Sequence, residues 1–273
     1  MFRGRFRTLL LSAAVLSATA ACDVQVGKDG FSLDVASGRA QDTWTRSYPL
    51  AAGARLELLN TNGRISAEPS SGDTVELVAE RIAKSSTDEA AQELMKKLEI
   101  REETSDSRVR VEVRSPRTFG VSGFEVRWTV KVPKGVIVDL RTTNGRVTLS
   151  GLQGEVHAST VNGGIEGKGL AVSILEASTV NGGVEVELTG PLSSSGSVSL
   201  EAVNGGVSLA LPDGSQASVT ARVTNGGINT TGLDFQLTGE QTRRRFEGTL
   251  NGGGARVTLQ TTNGGVRMSK STT

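Results

Sequence analysis

The chain of 273 residues has very little cysteine, histidine, proline and aromatic side chain. Its single cysteine, Cys22, and its single histidine, His157, exclude an intramolecular disulfide and a metal site built from several histidines and cysteines. Aromatic residues make up 4%, so a core must be mainly aliphatic. Only 6 prolines accompany 34 glycines, and this balance in a chain rich in valine and threonine predicts many tight turns between strands.

A large excess of one charge is also absent. The formal net charge is +1, and loss of Arg3, Arg5 and Arg7 with a leader leaves 27 basic and 29 acidic residues, a net charge of −2. Binding to nucleic acid depends on a concentrated basic surface. The charge balance therefore predicts no nucleic-acid partner.

The first 22 residues have the pattern of a lipoprotein leader. The basic segment Met1–Arg7 precedes the short apolar segment Leu9–Leu16 and the small residues Ser17–Ala21, and Cys22 follows. This end resembles a bacterial lipobox, so we expect the leader to be removed and Cys22 to carry the acyl chains of a membrane anchor. Asp23 resembles the signal that keeps lipoproteins on the inner membrane of enteric bacteria.

The remaining chain is predicted to be a tether followed by one domain. Trp44, Tyr48 and Pro49 mark the entry to the folded region. We assign residues 1–21 to the signal peptide, 22–48 to the lipidated N-terminus and tether, 49–269 to a repetitive β domain, and 270–273 to a tail.

One segment of the domain, Thr87–Leu98, is predicted to be helical. Ser86 and Glu89 have the spacing of a capping box before it. One face carries an apolar stripe, which favours packing against the core. The stripe consists of Ala91, Leu94, Met95 and Leu98.

The strongest signal in the sequence is an internal repeat that contains the dipeptide Asn-Gly. From Asn144 to Asn225 the steps are 18, 19, 23 and 21 residues, and the step from Asn225 to Asn263 is 38. Asn251 is out of phase with this repeat. The predicted corner asparagines are Asn62, Asn144, Asn162, Asn181, Asn204, Asn225 and Asn263.

Residues aligned on these asparagines alternate as strands do. Positions six and four before the asparagine, and three after it, are apolar, whereas the positions between are mostly polar. Because side chains alternate between the faces of a strand, one set should be buried and the other exposed. Each repeat is predicted to be a strand, an Asn-Gly corner and a second strand, with glycine supplying the positive φ of the corner.

Two architectures agree with this pattern. Asn-Gly is also the favoured two-residue hairpin turn, so an antiparallel meander would show the same alternation. A β-solenoid explains in addition why residue types match from repeat to repeat, since equivalent residues stack on one another. Stacking also places asparagine on asparagine, where side-chain amides can pair from coil to coil. We therefore prefer the solenoid.

At these residues the chain resembles a bacterial domain family, the DUF4097 adhesin domain, from about Leu50 to Met268. The resemblance rests on an early unit LNTNGRI (59–65), a strand ending in VPKG (132–135), later Thr-x-Asn-Gly-Gly-Val units, and a closing segment with EGTLNGGG and VTLQTTNGGV. The family usually has Asp after the Gly, where this chain mostly has Gly. The resemblance implies an all-β fold, a right-handed parallel β-helix or β-solenoid with one short helix near the N-terminal part, at the cell envelope.

No catalytic or metal chemistry is predicted. The acidic candidates fall mostly on outward columns without fixed spacing, which is typical of a solvated face rather than the cleft of a polysaccharide-cleaving enzyme. His157 also lies on an outward column. A calcium-binding solenoid needs aspartate in its repeat, and the corners have none, so no cofactor is expected. The acidic candidates are Glu166, Glu185, Glu187 and Glu201.

The predicted partner contact is the basic cluster Arg243, Arg244 and Arg245. It lies where a repeat is missing, which predicts a protruding loop or hairpin. It suits an anionic partner such as phospholipid or a teichoic-like polymer, or is simply solvated.

These observations predict a non-catalytic lipoprotein of the cell envelope, anchored in a membrane, whose repetitive domain acts in adhesion, envelope scaffolding or envelope-stress sensing. Its expected partners are an envelope polymer or an envelope protein. Two alternatives stay open: a carbohydrate-active β-helix enzyme, whose acidic residues would converge in a groove, and an accessory protein of a membrane signalling regulator.

Overall fold

The structure is a computed structural model that describes residues 23–27, 30–34, 37–117, 120, 122–239 and 241–271. The predicted signal peptide and Cys22 lie outside the described residues. The described elements are β1 Asp23–Gly27, β2 Gly30–Asp34, β3 Gly38–Pro49, β4 Arg55–Leu59, β5 Ile65–Pro69, β6 Thr74–Ser85, α1 Asp88–Met95, β7 Glu99–Ser105, β8 Arg108–Arg114, β9 Gly123–Val132, β10 Ile137–Asn144, β11 Val147–Ser150, β12 Gln153–Asn162, β13 Ile165–Asn181, β14 Val184–Leu188, β15 Ser197–Asn204, β16 Val207–Leu211, β17 Ala217–Asn225, β18 Ile228–Thr231, β19 Phe235–Leu237, β20 Arg245–Leu250, β21 Ala255–Asn263 and β22 Val266–Lys270.

Each Asn-Gly repeat contributes one strand to each of two parallel layers, and we call such a strand–corner–strand unit a coil. The first layer contains the strands before the corners, including β10, β12, β15, β21 and β17. The second contains the strands after them, including β11, β14, β16, β22 and β18. The 17-residue strand β13 starts in the second layer and ends in the first.

Parallel pairing between equivalent residues identifies the fold as a solenoid and not an antiparallel meander. Val156 is in register with Leu175, and Leu175 with Val198. All three are completely buried, in one aliphatic core that both layers share. The predicted all-β solenoid with one short helix is confirmed.

The order of the coils in space differs from their order along the chain. The last coil, β21–β22, lies between β15–β16 and β17–β18, and it is parallel to both. Val198 therefore neighbours Val257, and Val219 is one coil further away, contrary to a sequential stack. The other end has the same arrangement, because β4–β5 lies between β8–β9 and β10–β11.

Antiparallel strands cover the ends of the stack. At the N-terminal end β7 pairs with β8, and β6 and then β3 extend the second layer beyond β9. At the C-terminal end β20 covers β17, and β19 pairs with β20. Covered edges limit the pairing of the sheet with other chains.

The folded region starts earlier than the boundary at residue 49. Gly38–Pro49, which the sequence analysis placed in the tether, forms the 12-residue strand β3 along the whole of β6. Trp44 packs edge-to-face on Trp128 with 5.7 Å between the ring centroids. This aromatic contact and the full antiparallel pairing tie the segment to the domain.

The helix is shorter than predicted, and its cap is displaced by one residue. It spans Asp88–Met95, and the Thr87 hydroxyl, not that of Ser86, accepts a hydrogen bond from the amide of Ala90. Glu89 consequently does not complete a capping box, because it stands one residue before the position that the motif needs. Ala91, Met95 and Leu98 are buried as the apolar stripe predicts.

Candidate functional site

The corner asparagines form one continuous ladder on the surface. In the spatial order 62, 144, 162, 181, 204, 263, 225, each side-chain amide donates to the side-chain carbonyl of the preceding asparagine. The six N–O distances lie between 2.6 and 2.9 Å. Among the described residues, the Asn62 amide at one end of the ladder and the Asn225 side-chain carbonyl at the other have no partner, so the ladder has a direction.

The glycine directly after each asparagine is required by a close backbone approach. A Cβ on Gly205 would lie 1.8 Å from the carbonyl oxygen of Gly182, and one on Gly163 would lie 2.0 Å from that of Gly145. Neither glycine has a φ in the left-handed region. The sequence analysis assigned these glycines to a positive φ, and that reason is wrong for these two corners, because contact between coils already excludes a side chain.

A column of buried threonines lies beneath the ladder, and the sequence analysis did not predict its hydrogen bonds. The residue two before the asparagine is threonine in most coils, and its hydroxyl donates to the first-glycine carbonyl of the neighbouring coil. Thr179, for example, donates to Gly163 over 2.7 Å. The repeated threonine at this position could have revealed these bonds from the sequence, because a buried hydroxyl needs a hydrogen-bond partner. These bonds hold the corners at a constant spacing.

The second glycine of the corner forms the floor of a groove of about 550 Å³. Five successive coils contribute it, so the floor is about 19 Å long at the ordinary strand spacing of ~4.8 Å. Within the described part of the chain, the amides of these five glycines donate to no acceptor. The groove is therefore floored by a row of backbone amides without an internal acceptor, and of the five glycines only Gly227 has a side chain, that of Arg243, within 4 Å of where a Cβ would lie. The five are Gly164, Gly183, Gly206, Gly265 and Gly227.

Polar side chains of both charge signs line one side of this groove. The row consists of Glu166, Glu185, Ser208, Arg267 and Asn229, and Arg146 stands at one end. Hydrogen bonds from Lys168 and from Arg146 lower the pKa of the Glu166 carboxyl below its ordinary value. This carboxyl is therefore held as an anion and is unsuited to act as a general acid.

An aliphatic row borders the ladder on the other side. Val161, Val180 and Val203 directly precede their asparagines, and each side chain is about two-fifths exposed. We call the valine row, the asparagine ladder and the glycine groove together the corner surface. It runs along the coils with one repeat per strand spacing, and it combines apolar contact with regularly placed hydrogen-bonding groups.

The predicted acidic candidates do not meet the histidine at one catalytic centre. Glu166 and Glu185 lie beside the groove in the second layer, whereas Glu201 and His157 lie on the first layer. Both ring nitrogens of His157 contact carboxylates, those of Glu155 at 2.8 Å and Glu176 at 2.9 Å. Among the described residues no group of acidic, histidine or cysteine side chains has the geometry of a metal site.

The arginine cluster is fastened to the last corner and does not protrude. The carbonyl of Arg243 accepts from the amide of Ile228, and the carbonyl of Arg244 accepts from the amide of Val223. These two amides flank the Asn225 corner, so the loop bridges it. The predicted hairpin is present as β19–β20, which are antiparallel.

Cys22 lies outside the described residues, so its surroundings are not part of this site. No helix in the described ranges has the length and apolar character needed to cross a membrane.

The chain is similar to one protein family and to several solved structures of bacterial proteins. Residues 134–269 match the family model described as Toastrack DUF4097. A putative cell adhesion protein from Clostridium sporogenes is 15% identical with a TM-score of 0.49, and the match covers 85% of this chain and all of that one. A putative adhesin from Bacteroides fragilis is 11% identical with a TM-score of 0.40, over 83% of this chain and 97% of that one. A putative lipid binding protein from Parabacteroides distasonis is 10% identical with a TM-score of 0.34, over 86% and 98%. The comparison with curated proteins found no match.

Proposed function

Starting from the family of residues 134–269, Toastrack DUF4097, we propose an adhesin-like function for this domain. The protein is proposed to be a non-catalytic lipoprotein of the cell envelope that binds an extended partner along its corner surface. The observation that carries this proposal is the glycine groove with its row of unpaired amide donors. Adhesion or scaffolding then follows from holding a polymer along the coils, and envelope-stress sensing is a further role that such binding allows.

The geometry of the groove suits a chain-like ligand. It is open and shallow along five coils, and its donors repeat at the strand spacing. A linear polysaccharide presents oxygen acceptors at a similar regular interval, so several weak hydrogen bonds can form at once. Many weak contacts along one ligand give useful affinity without a deep pocket.

The same geometry disfavours turnover. Glycoside hydrolysis needs two carboxyl groups on opposite sides of the bond that is cleaved, one of them with a raised pKa. Glu166 and Glu185 are instead neighbours in one row on one side of the groove, and the pKa of Glu166 is lowered. We therefore propose binding without reaction.

Attachment through Cys22 places this surface at the envelope. The leader pattern and the position of the chain's only cysteine support acylation at this residue. Mass spectrometry of the mature N-terminus should find an acylated Cys22, and Cys22→Ala should release the protein from membranes or leave the leader uncleaved. An unmodified Cys22 on the mature protein would show that the anchor is wrong.

Blocking the groove tests the binding function directly. Gly206→Arg fills the groove with a residue that Arg64 and Arg146 already place at the equivalent position of two coils, and its Cβ would keep an ordinary 3.4 Å contact with Gly265. Ser178→Arg adds the same charge at an exposed position on the first layer and is the matched control.

Binding and turnover should be measured together on peptidoglycan strands, polygalacturonate and dextran, with the purified mature protein. We expect at least one of these to bind without release of reducing ends, Gly206→Arg to weaken that binding by about tenfold or more, and Ser178→Arg to leave it unchanged. Binding that survives Gly206→Arg would place the site elsewhere. Reducing ends that appear with the wild-type protein and disappear with Glu185→Gln would establish an enzyme.

A further inference from the structure

The C-terminal end of the solenoid carries a concentration of positive charge that the rest of the protein lacks. Residues 217–273 contain seven basic and three acidic residues, whereas residues 22–216 contain 20 basic and 26 acidic residues. The arginines of the N-terminal coils are mostly neutralised, as Arg55 is by Glu155 and Arg108 by Glu57. An unneutralised cluster on a nearly neutral protein costs stability through repulsion, so it indicates an anionic partner.

Five arginines of residues 217–273, Arg256 among them, have no carboxylate partner among the described residues, and four of the five lie around the last corner. These four are Arg222, Arg243, Arg244 and Arg267. Two nearby acids pair with other cations, Glu247 with Arg245 at 2.7 Å and Asp213 with Lys270 at 2.6 Å. Arg222 moreover lies directly opposite Arg245 on the neighbouring strand, where like charges repel.

The backbone that carries the cluster is held in place before any ligand arrives. The Thr242 hydroxyl accepts from the amides of Arg244 at 3.3 Å and Arg245 at 3.0 Å. The carbonyls of Arg243 and Arg244 are bonded to the two sides of the Asn225 corner at 3.1 and 2.9 Å. A fixed backbone lowers the entropy lost when the arginines bind, which favours recognition of a specific group.

The four guanidinium groups surround the last corner, two on each side. On the first-layer side, Arg222 and Arg244 line a cleft of about 370 Å³ together with Thr224 and Gln260. On the second-layer side, Arg267 lines the groove, and the Nε of Arg243 lies 3.6 Å from where a Cβ of Gly227 would be. The cationic end of the groove and the cleft are thus parts of one surface, which we call the arginine cap.

We infer that the arginine cap binds the phosphate groups of a linear envelope polymer whose chain continues into the glycine groove. The inference of phosphate binding depends only on the arginine cap. The continuation of the polymer into the glycine groove rests on the proposed function. Guanidinium forks pair bidentately with phosphate oxygens, and Thr224 and Gln260 add neutral donors at the cleft. Several arginines around one site suit a group with several charged oxygens better than a single planar carboxylate.

The position of the cap favours a polymer over the surface of the anchoring membrane. The cap lies beside β18, at one end of the stack, whereas β3, the first strand of the domain after Cys22, lies at the other end. Seven strand spacings separate β9 from β18, a distance of about 34 Å. The chain that leads from Cys22 therefore enters the domain at the end opposite the cap.

The cap is tested with soluble tripolyphosphate and long-chain polyphosphate, measured by calorimetry at several salt concentrations. Arg222→Gln with Arg244→Gln removes two charges from the cap, and Lys84→Gln with Lys97→Gln removes two unpaired, exposed charges from the opposite end. We expect the cap variant to weaken binding of both phosphates by about tenfold or more and to reduce the salt slope by roughly two, about one for each lost contact. The control variant should match the wild type.

The arms of this experiment separate the sources of the anion and the two proposals. Tripolyphosphate is too short to span the groove, so its binding supports the cap even if Gly206→Arg shows that the groove binds nothing. Equal affinity of the cap variant and the wild type would overturn the inference. Binding to phosphatidylglycerol vesicles without binding to either phosphate, or equal affinity for polygalacturonate and polyphosphate of matched charge, would also overturn it.

Discussion

Alanine substitutions at two adjacent glycines of one corner should differ strongly in their effect on stability. Gly205→Ala would place a methyl group 1.8 Å from the carbonyl oxygen of Gly182, where contacts below 3.0 Å essentially never occur. Relief requires the two coils to separate by more than 1 Å at this point. In Gly206→Ala the nearest atom, the carbonyl oxygen of Gly265, is 3.4 Å away, which is an ordinary contact.

The cost of the first substitution follows from the hydrogen bonds that meet there. Between these two coils the amide of Gly182 donates to the carbonyl of Asn204 at 3.0 Å, the amide of Val184 donates to that of Gly206 at 2.9 Å, and the Asn204 side chain donates to Asn181 at 2.9 Å. At about 1 kcal/mol for each bond, we expect the free energy of unfolding to fall by about 3 kcal/mol. That loss lowers Tm by roughly 6–12 °C in a domain of this size, whereas Gly206→Ala should change stability by less than about 0.5 kcal/mol.

Thermal unfolding followed by far-UV circular dichroism measures both variants under one condition. Equal Tm values for Gly205→Ala and the wild type would refute the close approach as the reason for the first glycine. A loss of stability in Gly206→Ala as large as that in Gly205→Ala would show instead that both positions need glycine for their backbone conformation, because only the first has the steric contact.

The remaining predictions concern the core and the order of the coils. Val198→Asp should lower the free energy of unfolding by several kcal/mol because it buries an unpaired charge at a fully buried position, while Glu201→Ala, exposed on the same strand, should leave denaturant midpoints unchanged. In a chain without its native cysteine, cysteines at Ser208 and Arg267 should form a disulfide under mild oxidation, because these residues are register partners about 4.8 Å apart. Cysteines at Ser208 and Asn229 should stay reduced, because the last coil lies between these two positions and keeps them about 10 Å apart. A disulfide in this second pair alone would contradict the insertion of the last coil.

The repeat could be predicted from the sequence because every coil places the same residue types at equivalent buried positions. Alternation around the asparagines identified the buried columns, and the ladder follows from stacking one corner on the next. The insertion of the last coil was not readable, because Val257 and Val219 satisfy the same buried column equally well. Nothing in a single sequence distinguishes which of two interchangeable coils contacts Val198.

The proposed binding surface was less predictable from the sequence than the fold, for a related reason. The unpaired amides of the groove, and the 1.8 Å between a Cβ on Gly205 and the Gly182 oxygen, depend on how neighbouring coils pack. The only sign of them in the sequence is the glycine itself. Arg222 also looked like an ordinary outward residue. Only the hairpin β19–β20 brings Arg244 beside it, 22 positions further along the chain.

The most direct test of the account is amide hydrogen exchange, by NMR, at the second glycine of each corner. These amides lack an internal acceptor among the described residues, so they should exchange rapidly in the free protein. With the polysaccharide or polyphosphate that binds, exchange should slow at successive coils, from Gly164 through Gly206 to Gly227, while the amides beside His157 stay unchanged. Protection confined to the His157 region or to one coil, or no protection in the saturated complex, would contradict a continuous binding surface along the corners.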